Sequence, residues 1–331
     1  MLNFIRSIEE KVLKLKDIDF SEAYQLMTID DSCIFDLLAS SNRIRERFKG
    51  KSISLCSIIN AKSGRCPEDC AFCSQSIHHK SSIQEYPLVE TDKILEGAKM
   101  AITHGAHKFG IVTSGKGIND GNELDKICDS VNTLRSKIPI HRCASLGILS
   151  REAFTRLSDA GLQEYHHNLE TARSFFNNVC TTHTYDEDVE TIRFAKDAGL
   201  RTCCGGVFGM GESVEQRIEL AFTLRELDVD SIPLNFLHPI RGTPMENIPS
   251  LKPIEALKII ALYRFILPDK DIKVAGGREY NLRDLQPLLF AAGANSIMVG
   301  NYLTTKGRNY REDLQMIEDM GLEIRKIHDI P

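Results

Sequence analysis

Three cysteines stand in the run G-R-C-P-E-D-C-A-F-C-S-Q-S, where Cys66, Cys70 and Cys73 are spaced Cys-x3-Cys-x2-Cys. Three thiolates this close together can hold three irons of a 4Fe-4S cubane and leave the fourth iron open to a small chelating molecule. Structural zinc sites favour Cys-x2-Cys pairs, and electron-carrying ferredoxins cap every iron with protein, so neither fits this spacing. A buried or zinc-bound trio is the plainer alternative. An aromatic residue, Phe72, stands directly before the last cysteine and adds weight to the cluster reading.

The chain that must position this loop has 331 residues, long for one ordinary domain and normal for one α/β barrel. A net charge of -5, with acids and bases interspersed, provides no basic patch to track a phosphate backbone, so a nucleic-acid partner is disfavoured. The first residues, M-L-N-F-I-R-S-I-E-E-K-V-L-K, read as an amphipathic helix carrying acids, without the apolar core of a signal peptide. No later stretch reaches the length that crosses a bilayer, and a cytoplasmic enzyme with no membrane partner is expected. In such a chain ten cysteines point to metal or redox use rather than to disulfides.

Short β-branched runs alternate with helical segments, the pattern of a βα repeat. Strands are expected near 52–61, 108–113, 140–146, 164–170, 201–208, 231–237, 271–275 and 296–300. Helices fit 92–103, 122–136, 150–160, 186–198, 213–227, 253–266, 281–291 and 311–321. Eight such units predict the α/β class and a closed (β/α)8 TIM-type barrel, with chemistry at the C-terminal ends of its strands. The cysteine loop follows the first strand, as that rule requires. Residues 1–47 form an N-terminal helical extension outside a barrel domain of residues 48–331.

Alternation along each strand then predicts the lumen. Ser54, Cys56 and Ile58 point inward, as do Gly110, Cys143, Asn168, Glu170, Ser231, Asn235, Lys273, Ser296 and Met298. A lumen holding thiols, a lysine and two asparagines is too polar to be packing alone. Cys203 and Cys204 are neighbours, so an undistorted strand turns only one of them inward. Cys33, Cys128 and Cys180 receive no task, and His78 and His79 are expected to face solvent.

The cysteine loop resembles that of the radical S-adenosylmethionine superfamily, and the ordered set of further motifs is similar to the biotin synthase family from about residue 50 to 325. Those motifs are E-Y-H-H-N-L-E-T at 164–171, T-H-T-Y at 182–185, C-C-G-G-V-F-G-M-G-E at 203–212, I-P-L-N-F-L-H-P-I-R-G-T-P at 232–244, A-G-G-R-E at 275–279 and A-G-A-N-S-I-M-V-G-N-Y-L-T-T at 292–305. The resemblance implies that sulfur is inserted into dethiobiotin to give biotin. Two 5'-deoxyadenosyl radicals are needed, because two C-H bonds must break. It implies that Cys66, Cys70 and Cys73 bind the radical-generating 4Fe-4S cluster, and that Phe72, Asn168, Glu170 and Val207 contact S-adenosylmethionine. Asn168 and Asn235 are placed on the ureido ring of dethiobiotin, and Thr304 and Thr305 at its carboxylate. An electron donor of the flavodoxin or ferredoxin type, iron-sulfur assembly proteins and a homodimer are further implications.

The sequence departs from the family pattern at the second, sulfur-donating cluster. Cys143 and Cys203 match, while Gly110 stands where a cysteine is usual and Lys273 where an arginine is usual. Glu170 and His166 replace a shorter aspartate and an asparagine. Cys56, at a position usually serine, points into the same lumen by parity and restores a third thiol. The expectation is an auxiliary 4Fe-4S cluster on Cys56, Cys143 and Cys203 carrying an extra sulfide, favoured over a 2Fe-2S cluster, with Lys273 as a cation rather than a ligand. Cys204 is the rival third ligand if the fifth strand bulges.

Overall fold

The computed structural model describes residues 1–325; the last six residues of the expected barrel domain, 326–331, lie outside them. Helices α1 (Leu2–Leu13), α2 (Phe20–Met27) and α3 (Ile34–Lys49) come first. A capping box closes the start of α2, where the Asp19 side chain takes the Glu22 N–H and the Glu22 side chain takes the Asp19 N–H.

Ten strands follow: β1 (Ser52–Lys62), β2 (Lys108–Thr113), β3 (His141–Ser145), β4 (Glu164–His166), β5 (Arg201–Cys203), β6 (Gly206–Phe208), β7 (Ser231–Phe236), β8 (Asp271–Val274), β9 (Ser296–Met298) and β10 (Glu323–Ile324). β1 to β5 and β7 to β9 pair in chain order, all parallel, and β9 closes on β1. β5 and β6 both pair with β7 and together make the fifth strand of an eight-stranded barrel. β10 extends β1 at its start through Ser52 and Glu323.

The outer helices are α4 (Thr91–Thr103), α5 (Gly121–Lys137), α6 (Arg151–Ala160), α7 (Tyr185–Asp197), α8 (Val214–Glu226), α9 (Pro253–Ile266), α10 (Arg278–Leu282), α11 (Leu288–Ala291) and α12 (Tyr310–Asp319). Capping boxes at Thr184 with Glu187 and at Ser213 with Gln216 fix the starts of α7 and α8. In α9 every residue from Ala256 to Ile266 is buried, because α2 and α3 cover the face turned away from the barrel. The N-terminal helices therefore pack against the outside of the cylinder.

Three expected elements are broken. The strand expected over 201–208 splits after Cys203, and the one expected over 164–170 ends at His166. Leu169 donates its N–H to the Gly205 carbonyl at 3.0 Å, and Val207 donates to the Glu170 carbonyl at 2.8 Å. This close approach needs glycine: a Cβ on Gly205 would lie 2.0 Å from the Pro233 carbonyl oxygen, and one on Gly206 would lie 2.5 Å from that of Glu170. The helix expected over 281–291 is also interrupted, by a 3-10 turn at Arg283–Leu285 that Arg283 enters with φ +50°.

Register sorts the lumen into tiers. Cys56 pairs with Lys108 and Lys108 with His141; two residues further on, Cys143 pairs with Glu164 and Glu164 with Arg201. The same step of two residues leads from Cys203 through Ser231 to Asp271, then from Lys273 through Ser296 to Ser54 and back to Cys56. In a closed barrel of this stagger, alternate strands contribute four side chains to one layer. Cys56, Cys143, Cys203 and Lys273 thus share a layer. Lys108, Glu164, Ser231 and Ser296 lie beneath it, and Gly110, His166, Pro233 and Met298 lie above.

Candidate functional site

The cysteine loop leaves the C-terminal end of β1 with no regular structure of its own, so its shape depends on hydrogen bonds. Cys66 donates its N–H to the Gln75 carbonyl at 3.0 Å, and Cys73 donates to that of Cys70 at 2.9 Å. Ala71 donates to the Val179 carbonyl at 2.8 Å, which lays the loop along residues 179–183. There the Asp69 carboxylate accepts from the Thr181 N–H at 2.8 Å and the Cys180 thiol at 3.2 Å, while Glu68 pairs with His183. His78 and His79 are not merely solvent-facing: their rings reach the Pro67 and Cys73 carbonyls at 2.9 and 2.8 Å. Cys180, expected to be idle, is buried against this loop.

Above the barrel strands the loop roofs a cavity of about 350 Å³. Its wall carries Phe72, Cys73, Asn168, Glu170, Val207 and Asn235. Phe72 packs with Val207, Val179 and Met210 in one apolar patch, separate from the main core. Thr304 and Thr305 line the cavity as well, and the Thr304 hydroxyl lies 2.9 Å from that of Ser74, so the two loops touch. Asn235 accepts the Gly276 N–H at 2.9 Å, and the Asn168 amide donates to Glu170 at 3.2 Å. Deeper in the wall are Cys56, Cys143, Cys203, Lys273 and Glu164. Cys204 is fully buried in the outer core and is absent from that wall.

Burial decides much of the electrostatics. It raises the pKa of Cys73 to about 11, and that of Cys66 to a lesser extent; the Cys70 thiol is raised first by its contact with Cys180 and then by burial. Burial, then the charge of Asp188, pushes Glu170 up to about 8. His166 falls to about 3 through burial and the neighbouring Lys273. For Lys273 burial opposes the charge, but negative charge on the facing sulfurs of Cys203 and Cys56 and on the Glu164 carboxylate outweighs it and holds the ammonium well above the ordinary lysine range. Glu164 also resists burial, because Lys108 bonds it at 2.6 Å with both side chains nearly inaccessible. Removing one partner of such a pair costs about 3–5 kcal/mol.

The two groups of thiols suit iron-sulfur clusters. All ten cysteines are free, and the three on the loop are half-buried, with Cys73 lining the cavity and Cys66 and Cys70 set back from its wall. Buried thiols with raised pKa values exchange their protons for metal when it binds. Among the described residues, Glu68, Cys180 and His183 also converge closely enough to ligate an ion, but hydrogen bonds already satisfy them.

Residues 61–224 match the Radical SAM superfamily, and residues 233–323 match the Biotin and Thiamin Synthesis associated domain. A curated biotin synthase of Geobacter sulfurreducens is 53% identical over 98% of this chain and 99% of that protein. The chain belongs to the biotin synthase family. The biotin synthase of Carboxydothermus hydrogenoformans is 51% identical over 98% of this chain and all of its own length. Among solved structures, methylornithine synthase superposes with a TM-score of 0.83 at 18% identity, covering 97% of this chain and 98% of that one. A maturase of the [FeFe]-hydrogenase gives 0.82 at 16% identity, over 98% of this chain and 76% of that one. These two share the barrel and bear on the fold alone.

Membership makes the chain a radical S-adenosylmethionine enzyme of biotin synthesis and implies a 4Fe-4S cluster, S-adenosylmethionine and an auxiliary cluster. Among the described residues no helix is long and apolar enough to cross a membrane. Sequence reading missed the Lys108–Glu164 pair beneath the thiols, although the parity that placed Gly110 extends two residues back to Lys108. The contacts of His166 with Cys203 and of Ser74 with Thr304 had no local signal, because each joins segments far apart in the chain.

Proposed function

We propose that Cys56, Cys143 and Cys203 hold the auxiliary cluster from which sulfur is inserted into dethiobiotin to form biotin. The observation that carries this reading is the register, which gathers these thiols and Lys273 into one layer deep in the cavity wall and leaves Cys204 outside it. Three cysteines leave one corner of a cubane for an additional sulfide, whereas a 2Fe-2S cluster needs a fourth protein ligand. Lys273 is a cation in this arrangement, since the cysteine sulfurs, thiolates once metal is bound, and the Glu164 carboxylate stabilise its charge.

In the same reading Cys66, Cys70 and Cys73 hold the cluster that binds S-adenosylmethionine. When bound, that cluster and cofactor supply a 5'-deoxyadenosyl radical able to break an unactivated C-H bond. The protein's own contribution is placement. Phe72 and Val207 offer the apolar patch for the adenine, and Asn168 and Glu170 face the ribose. Asn168 and Asn235 grip the ureido ring, because an amide presents donors and an acceptor in one plane. Thr304 and Thr305 take the carboxylate at the other end of the cavity. Such clamping keeps the reacting carbon between the two groups of thiols and away from other hydrogen donors.

A flavodoxin- or ferredoxin-type donor, iron-sulfur assembly proteins, a homodimer and a cytoplasmic setting complete the proposal, as does the division into an extension at 1–47 and a barrel domain at 48–331. The test is anaerobic incubation of reconstituted protein with dethiobiotin, S-adenosylmethionine and reductant, after iron and sulfide have been counted. Two clusters per chain and biotin as product are expected. A single cluster overturns the three-cysteine layer, and deoxyadenosine without biotin overturns the substrate contacts.

A further inference from the structure

We propose that His166 is a positioning residue for the auxiliary cluster, directing a hydrogen bond at the Cys203 sulfur that makes the iron held there easier to reduce. The proposal rests on the three-cysteine reading above. His166 pairs with Cys203 across β4 and β5 and stands in the tier directly above the thiols, on the cavity wall. Its Nδ1 is 3.3 Å from Cys203 Sγ, and Lys273 Nζ is 3.4 Å from the same sulfur.

An ammonium can only donate, and a metal-bound thiolate can only accept. The histidine must therefore carry its proton on Nδ1, which leaves Nε2 bare. Cys203 is distinguished by this double support: among the described residues, no side-chain hydrogen bond reaches the thiol of Cys56 or Cys143. Hydrogen bonds to ligand sulfur withdraw electron density and raise the reduction potential of the iron it holds.

That asymmetry has a use in the family's reaction. When bound, the cluster would supply both the sulfide that a carbon radical captures, one of whose electrons enters the new C-S bond, and the ferric iron that would take the second electron the sulfide gives up. A more readily reduced iron favours this capture over loss of the radical. His166 and Lys273 converge on one corner of the layer, at the Cys203 sulfur, and would favour reduction of the iron held there.

Two measurements on the reconstituted full-length protein test this. The first is a potentiometric titration of the auxiliary cluster in wild type, His166→Phe and His166→Gln. Phenylalanine is expected to shift the midpoint negative and to lower biotin formed per deoxyadenosine about fivefold, the value of one hydrogen bond; glutamine, which keeps an N–H, restores most of both. The second is pulsed EPR of wild type labelled with 15N-histidine, where a weak nitrogen coupling to the reduced auxiliary cluster is expected. An unchanged midpoint in a His166→Phe protein that holds two clusters overturns the proposal alone. Should phenylalanine cost the second cluster, absence of nitrogen coupling in the wild type overturns it instead. A wild type with one cluster overturns the three-cysteine reading as well.

Discussion

The two trios of cysteines are built in opposite ways. Cys66, Cys70 and Cys73 lie within one short loop, half-buried, and their spacing is written in the chain; only the loop's anchorage comes from elsewhere, through residues 179–183. Cys56, Cys143 and Cys203 come from β1, β3 and β5, and nothing but strand register brings them together. A one-residue slip of β3 would turn Cys143 out of the lumen and dissolve the second trio without touching the first. The loop trio is therefore exposed to local chemistry, and the barrel trio is protected by the whole fold.

The comparison predicts separable losses. In the proposed reading Cys73→Ala removes a ligand to the radical-generating cluster, and deoxyadenosine formation is expected to fall by at least about a thousandfold, the scale on which a lost catalytic centre reads. Cys56→Ala is expected to spare deoxyadenosine while biotin drops by more than about a hundredfold, beyond the 10–100-fold effect of an outer partner. Cys204→Ala should change neither product. Chromatography of both products from each variant checks this, and loss of deoxyadenosine in the Cys56→Ala protein would break the division between the trios.

That division also explains what could be read from the sequence. The loop trio is legible because its ligands are neighbours in the chain, and βα alternation with strand parity placed Cys56, Cys143, Asn168, Asn235 and Lys273 on the cavity wall. Parity predicts which face a residue takes but not its height, so it could not show that three thiols and Lys273 share a layer. Height follows from stagger between strands. The breaks near Glu170 and Gly205 were hidden for another reason: close contact between two backbones leaves only glycine as its trace, and glycine marks many other features.

Asn168 and Asn235, the amides proposed to hold the substrate, follow His166 and Pro233 by two residues and so lie above both the cysteine layer and His166. Asn235 lines the cavity and is held by the Gly276 N–H, which fixes its amide plane. Asn235→Ala removes a partner from a buried polar ligand at about 1–3 kcal/mol, so KM for dethiobiotin is expected to rise about tenfold or more. Initial rates against dethiobiotin concentration measure it. An unchanged KM would move the ureido ring away from this strand.

Glu170 sharpens the comparison from the side of acidity. Its folded pKa of about 8 lies above the ordinary value of 4.5, chiefly through burial. The folded state thus holds the proton more tightly than the unfolded one; this contribution to stability is complete below the unfolded pKa and is lost as pH rises through about 8. In cofactor-free protein, Glu170→Gln keeps the side chain neutral throughout, so its urea midpoint is expected to fall less than that of wild type between about pH 5 and about pH 8. Parallel slopes would show that the carboxyl ionises freely in the fold.

The smallest expected effect concerns the side-chain hydrogen bond between the loop trio's own segment and Thr304, at the proposed carboxylate end of the substrate. Ser74 follows Cys73 directly, and its hydroxyl meets that of Thr304 at 2.9 Å. The Thr304 segment is otherwise steadied by Asn60, whose amide donates to the Leu303 carbonyl at 3.1 Å, and by the Tyr302 hydroxyl, which donates to Glu279 at 2.9 Å. Losing Ser74 therefore loosens the loop without freeing it. Ser74→Ala is expected to raise KM for dethiobiotin about fivefold, the value of one hydrogen bond, and Ser74→Thr to restore it. Because either hydroxyl can donate, the double variant with Thr304→Val should cost no more than Thr304→Val alone. Additive losses in that cycle would mean that the two loops act on the substrate independently, and the cluster segment would then have no direct hold on the carboxylate site.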